Sequence, residues 1–192
     1  MNHLAHLFLA EPTDSGYLGA LMGDYVKGRL DGHFPEALRR GLLLHRKIDR
    51  FAETNRHFLR SKRRFDPALR HARGILVDVA YDHLLALHWS DFFPIPLENF
   101  AATIYRLLER YHKLLPSALQ QAAPKMVEAD WLVACRKKET IARVLERLEK
   151  RLGQRIPLST GLSQIESDYR QLASDCRLFL DDAAAFVNEQ KQ

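Results

Sequence analysis

Apolar residues recur every three or four positions along almost the whole chain, which is the period of a helix with one buried face. No alternating run of strand length interrupts them. Punctuation supports the same division into helices. Pro35 opens a predicted helix that carries His45 and Asp49. Asp66-Pro67 reads as cap and first residue of a helix running to about Trp89. Pro94 and Pro96 precede a helix near Leu97 to Leu115, with Leu97, Phe100, Ile104, Leu107, Leu108 and Tyr111 on one face. Pro116 begins another segment. Glu139 to Leu152 is charged and amphipathic, stopped by Gly153 and Pro157. Ser163-Gln164-Ile165-Glu166 fits a capping box that opens a last helix towards Val187. The pattern predicts an all-α, single-domain helical bundle over residues 1–192.

Composition narrows the class. The chain has 192 residues, 46% hydrophobic and 28% charged, enough for one substantial core and unlike a disordered segment. Cys135 and Cys176 form neither a disulfide framework nor a Cys-x-x-Cys zinc motif. The opening Met1 to Ala10 lacks a basic leader and sets histidines inside its apolar stretch, so a signal peptide is not expected. No apolar run approaches the ~20 residues that span a bilayer. A cytoplasmic protein with no membrane partner is the expectation.

The residues that break the apolar pattern carry the chemistry. Asp24 closes Leu18 to Gly23, His45 and Asp49 follow Leu42-Leu43-Leu44, and Asp78, Asp82 and His83 interrupt the run from Ile75 to Tyr81 and beyond. An unpaired buried carboxylate costs several kcal/mol, so acids here need partners. Residues four apart share a helix face, so His45/Asp49 and Asp78/Asp82 each offer two ligands side by side. Two such pairs on packed helices can enclose a metal, and carboxylates with imidazole suit Mn²⁺, Mg²⁺ or Fe²⁺. Other readings stay open. A His/Asp pair can be a plain helix hydrogen bond, Asp78 can pair with Arg46 or Arg73, and Asp24 can cap a loop. His6, His88 and Trp89 are equally compatible with structural roles. No Walker loop, dinucleotide fingerprint or nucleophile elbow is present.

Several of these segments together resemble the acyl carrier protein phosphodiesterase family. They are Met1-Asn2-His3-Leu4-Ala5-His6-Leu7, Gly23 to Gly28, Leu44-His45-Arg46-Lys47-Ile48-Asp49, and above all Gly74 to Trp89. Met126, Asp130-Trp131-Leu132 and Leu162 to Phe179 extend the similarity over most of the chain. The resemblance implies a helical fold distantly like that of HD-type metal phosphohydrolases. It also implies hydrolysis of the phosphodiester between 4'-phosphopantetheine and a serine of holo-acyl carrier protein, with Mn²⁺ or a similar ion required. The matching positions are Asp24, His45, Asp49, Asp78, Asp82 and His83. Two departures stand out. Phe51-Ala52-Glu53 replaces the family's usual Phe-Thr-Asp, and only a reversed Asp82-His83 replaces a His-Asp dyad.

Charge fits an acidic partner. The net charge is +5, but Arg39 to Arg73 holds twelve Lys/Arg against three acids, leaving the rest of the chain at −4. A basic stretch of this kind speeds encounter with an acidic carrier. Arg46 and Lys47, beside the candidate ligands, are expected to bind phosphate. Arg60, Lys62, Arg63 and Arg64 are expected to meet carrier acids. The aromatics near this cluster are too sparse for base stacking, so nucleic acid is not expected. In the expected reaction a metal-activated water attacks phosphorus in line, with Asp24 and His83 as catalytic groups and His83 as acid to the leaving serine. The alternatives are an HD-like phosphohydrolase for a nucleotide or other small phosphoester, and a non-enzymatic helical module for an acidic partner.

Overall fold

The most apolar segment of the chain becomes its centre. In the computed structural model, which describes residues 3–30, 34–153 and 156–190, α5 (Arg73–Leu87) is buried around nearly all of its circumference from Leu76 to Ala86. A helix apolar all round has to be wrapped by others. It is wrapped by α1 (His3–Leu9), α4 (Arg56–Arg64), α9 (Lys138–Arg151) and α11 (Tyr169–Glu189). Around these lie α2 (Asp14–Met22), α3 (Glu36–Thr54), α6 (Leu97–Arg110), α7 (Ser117–Glu128), α8 (Trp131–Ala134) and α10 (Gly161–Ser167). About 80% of the chain is helical, with no strand among the described residues. The all-α class is as the pattern predicts, and the buried apolar side chains form one continuous core.

The closest helix contact joins α2 to α3. A Cβ on Gly19 would lie 2.5 Å from the backbone of Gly41, so the two main chains touch where both residues lack side chains. That contact sets α3 against the end of α2, where Asp24 follows. Arg46 reinforces it from α3, donating to the carbonyls of Gly28 (2.7 Å) and Val26 (2.9 Å) in the loop after Asp24.

Two expected boundaries differ. Asp66 does cap the chain, accepting from Ala68 N at 2.8 Å, but Pro67–Ala72 is a 3₁₀ segment broken at Arg70 (φ 49°), and α5 starts only at Arg73. Leu69 and Ala72, on either side of that break, are both buried. Ser163 is not a helix cap either. The helix begins at Gly161, where a Cβ would meet Leu76 at 2.4 Å, and Ser163 Oγ donates to Thr160 O. Glu166, the expected reciprocal partner, instead accepts from Lys138 Nζ at 2.6 Å. The chain then breaks at Asp168 before α11.

The basic run on α4 is largely engaged within the fold. Asp175 of α11, 1% exposed, accepts from Arg60 Nε (2.6 Å), Arg64 Nε (3.0 Å) and Ser61 Oγ (3.2 Å). The Arg60–Asp175 bond raises the Arg60 guanidinium above its ordinary range. Two of the four cations expected to meet a partner therefore fasten α4 to α11. Lys62 remains half-buried and Arg63 exposed.

Removing a buried acceptor of three hydrogen bonds costs about 1–3 kcal/mol. Asp175→Ala is expected to lower the thermal midpoint, by about 2–4 °C per kcal/mol lost in a chain of this size. Differential scanning calorimetry reads the shift, and an unchanged midpoint would show that this network contributes nothing.

Candidate metal centre

Three elements converge on the C-terminal half of α3. From α1 come His3 and His6, three residues apart and therefore on one face. Asp24 comes from the turn after α2, and His45 and Asp49 from successive turns of α3. His6 Nε2 lies 3.0 Å from Asp49 Oδ1, and His45 Nε2 lies 3.3 Å from Asp49 Oδ2 and 3.7 Å from Asp24 Oδ1. The His6 and His45 rings stack at 3.7 Å between centroids. His3 Nδ1 is 4.0 Å from Asp24 Oδ2. Ligand atoms of His6, His45 and Asp49 all lie within 4.8 Å of one another, close enough to share one cation.

The orientation of His45 is fixed from behind. Its Nδ1 sits 2.8 Å from the carbonyl of Ala20, which can only accept, so Nδ1 carries a proton and Nε2 faces the two carboxylates. Gly23 makes room for the ring, since a Cβ there would lie 2.2–2.4 Å from imidazole atoms. His3 Nδ1, His6 Nδ1, Asp24 Oδ2 and His45 Nε2 are buried without a hydrogen-bond partner. Orphaned nitrogen and oxygen lone pairs gathered in one place fit a divalent cation.

Electrostatics in the metal-free site have two opposing parts. Burial lowers His3 to about 4 and lowers His6 as well. Burial also opposes charge on His45, but the Asp24 and Asp49 carboxylates facing its Nε2 outweigh it and raise His45 to about 9. Burial likewise works against the two carboxylates, yet the histidines hold both Asp24 and Asp49 below their ordinary range. A cation bound between Asp24 and Asp49 would compete with protonation of His45.

The structure distributes the expected site residues unevenly. Asp24, His45 and Asp49 are brought together. Asp78 borders them, with burial first and then the charges of Asp49 and Asp24 pushing it up to about 6. Asp82 has another occupation. It is 6% exposed, and its two oxygens accept from Leu4 N (3.1 Å) and Ala5 N (3.0 Å), fastening the start of α1 to α5. Burial raises it to about 7. His83 points elsewhere. Its Nδ1 bonds the Cys135 carbonyl at 2.7 Å and its charged neighbours are Lys138, Glu166 and His88, so it does not reach the cluster as an acid. Arg46 holds the loop beyond Asp24 rather than standing free for phosphate, and Lys47 Nζ bonds Gln190 at 2.8 Å near the end of α11. Glu53 is exposed at the C-terminal end of α3, a turn beyond Asp49.

His3 and His6 are the residues that reasoning from sequence did not assign. Their signal was available, as two histidines three apart on the apolar face of a short helix. What sequence could not show is that this face turns towards α3.

His6, His45 and Asp49 place ligand atoms close enough together to share a cation. The chain belongs to the acyl carrier protein phosphodiesterase family, which it matches over residues 1–183. Among curated proteins it is similar to the acyl carrier protein phosphodiesterase of Pectobacterium atrosepticum, 31% identical over 172 residues and 89% of each chain. The Klebsiella pneumoniae protein of that name is 31% identical over 180 residues and 90% of each chain. That of Photorhabdus laumondii is 29% identical over 170 residues, 88% of this chain and 86% of its own. No solved structure matches the chain.

The pH dependence of the metal-free protein follows from His45. Its folded value, about 9, lies above the ordinary 6.5, so its pairing stabilises fully below about 6.5 and is lost as pH rises through 9. EDTA-treated protein is expected to lose thermal midpoint between those limits, and His45→Gln to flatten the profile. A wild-type profile already flat there would contradict the pairing.

Proposed function

We propose that this protein is a divalent-metal phosphodiesterase that removes 4'-phosphopantetheine from the serine of holo-acyl carrier protein, leaving apo-carrier. The observation that carries this reading is the set of orphaned ligand atoms on His3, His6, Asp24 and His45 beside Asp49, in a chain of this family. Mn²⁺ suits the mixed nitrogen and oxygen donors, with Mg²⁺ and Fe²⁺ the nearest substitutes. His6, His45, Asp24 and Asp49 would hold the ion, with His3 at its edge and Asp78 beside it. When bound, the ion supplies Lewis acidity, offsetting charge on phosphoryl oxygens and making water a better nucleophile.

The chain's own groups do the rest. Ala20 and Gly23 fix the His45 ring, so Nε2 meets the site without reorganisation. Asp82 holds α1 in place and keeps His3 and His6 over α3. Asp49, with 55% of its side chain exposed, stands where the site opens to solvent and can orient a water entering it. His3, half-buried and neutral at pH 7, is placed at the margin to orient a phosphoryl oxygen or the leaving group. Both cysteines are buried and unpaired, which suits the reducing cytoplasm, and no helix among the described residues is long and apolar enough to cross a membrane.

The direct test is incubation with holo-carrier and Mn²⁺, with EDTA as control, read by intact mass. Loss of the phosphopantetheine mass only with metal is expected, and an unchanged carrier would overturn the reading. His6→Ala and Asp49→Ala should each reduce turnover by about 10²-fold or more, the scale on which ligand-shell changes act. His83→Asn should stay near wild type, because His83 faces Cys135. Gly23→Ala, which drives a methyl group into the His45 ring, should weaken Mn²⁺ affinity by about 10–100-fold in calorimetric titration.

A further inference from the structure

A groove of about 470 Å³ opens directly beside the metal cluster. His3 and Tyr25 form its near end, and their rings lie parallel at 6.4 Å. Because His3 Nδ1 is 4.0 Å from Asp24, the groove and the cluster share a wall. From there it runs between α7, α8 and α9. Ala122, Met126, Trp131 and Val144 give it an apolar lining, and Lys125, Arg143 and Arg147 stand along it against one acid, Glu128. All three cations are exposed. Arg143, Arg147 and Arg151 are spaced by four on α9, so they form one stripe, and the charge of Arg151 reaches the Tyr25 phenol at the near end. This basic stripe lies outside the Arg39 to Arg73 segment that dominates the charge of the sequence.

The groove is built rather than incidental. Asp130 at the α7–α8 turn is held at φ 44°, a left-handed conformation unusual for a residue other than glycine. Tyr105 secures that turn. Its hydroxyl donates to Asp130 Oδ1 at 3.0 Å and accepts from Leu132 N at 2.9 Å. The turn carries Trp131 into the groove lining. The volume lies within the range of about 300–1,000 Å³ typical of sites for organic ligands.

We propose that this groove holds the pantetheine arm of holo-acyl carrier protein, with the arm's phosphate at the His3 end and the acidic carrier lying against Lys125, Arg143 and Arg147. The inference rests on the phosphodiesterase reading. Chemistry matches along the length of the groove. The arm is a flexible chain of methylenes, a dimethyl-bearing carbon and two amides. The apolar lining suits its hydrocarbon, and the cations suit its amide oxygens, its phosphate and the anionic carrier. Substrate selection by an arm-binding groove also explains how a phosphodiesterase site with an open edge could act on one diester. Binding energy from the non-reacting arm would place the phosphate at the cluster.

The test compares holo-carrier with apo-carrier, which lacks the arm. Affinities are measured for the full chain in EDTA, so that the arm stays attached, by calorimetry with Trp131 fluorescence as a second readout. Holo-carrier is expected to bind at least about tenfold tighter than apo-carrier, and filling the groove with Ala122→Trp or Ala129→Trp should bring the two to within about twofold. Arg143→Glu with Arg147→Glu should instead weaken both carriers together and slow association. Unchanged thermal midpoints and Mn²⁺ affinities in the filled variants exclude misfolding. Equal affinity of wild type for holo- and apo-carrier would overturn the proposal, as would a holo preference that survives both tryptophans. Failure of the phosphodiesterase reading appears separately, as no apo-carrier formed by wild type with Mn²⁺.

Discussion

Asp82 is a carboxylate buried in the middle of the central helix, and its two oxygens satisfy the first amides of α1. A helix of seven residues has little stability of its own and needs an anchor at each end. Leu4 and Leu7, 0% and 1% exposed, supply the packing; Asp82 supplies the position. With α1 fixed at that point, His3 and His6 turn towards α3 and meet Asp24, His45 and Asp49. Without it, the two histidines of α1 lose the contact that sets their place in the cluster.

The same economy of polar groups recurs through the fold. Asp175 fastens α4 to α11 as Asp82 fastens α1 to α5, and Arg46 fastens the loop that follows Asp24 to α3. In each case a charged group that could have served a ligand instead holds two elements together. The histidine–carboxylate cluster is the exception, because there buried polar atoms outnumber their partners. Glycines at 19, 23 and 41 bring the backbone close enough for this to happen, since α2 and α3 touch main chain to main chain and the His45 ring rests on Gly23.

The groove beside the cluster follows from the other half of the chain. α7, α8 and α9 contribute little to the ligand set, but they build the wall that begins at His3 and Tyr25. The histidine–carboxylate cluster of α1 to α3 and the groove between α7, α8 and α9 meet at His3.

Helix period, proline and glycine punctuation and the burial of α5 were legible in the sequence, because local spacing alone decides which residues share a face. So were Asp24, His45 and Asp49, each an ionisable group set in an apolar run. Local spacing could not tell which apolar faces would meet. Asp82 and Asp78 stand on one stripe of α5, yet Asp82 closes a helix terminus and Asp78 borders the cluster. His83, one residue on, turns about 100° away to Cys135. Arg60 and Arg64 read as a free basic patch until Asp175, more than a hundred residues later, is folded against them. The sequence set the helices and much of the ligand chemistry; packing decided which of those ligands converge, because convergence depends on contacts between residues far apart in the chain.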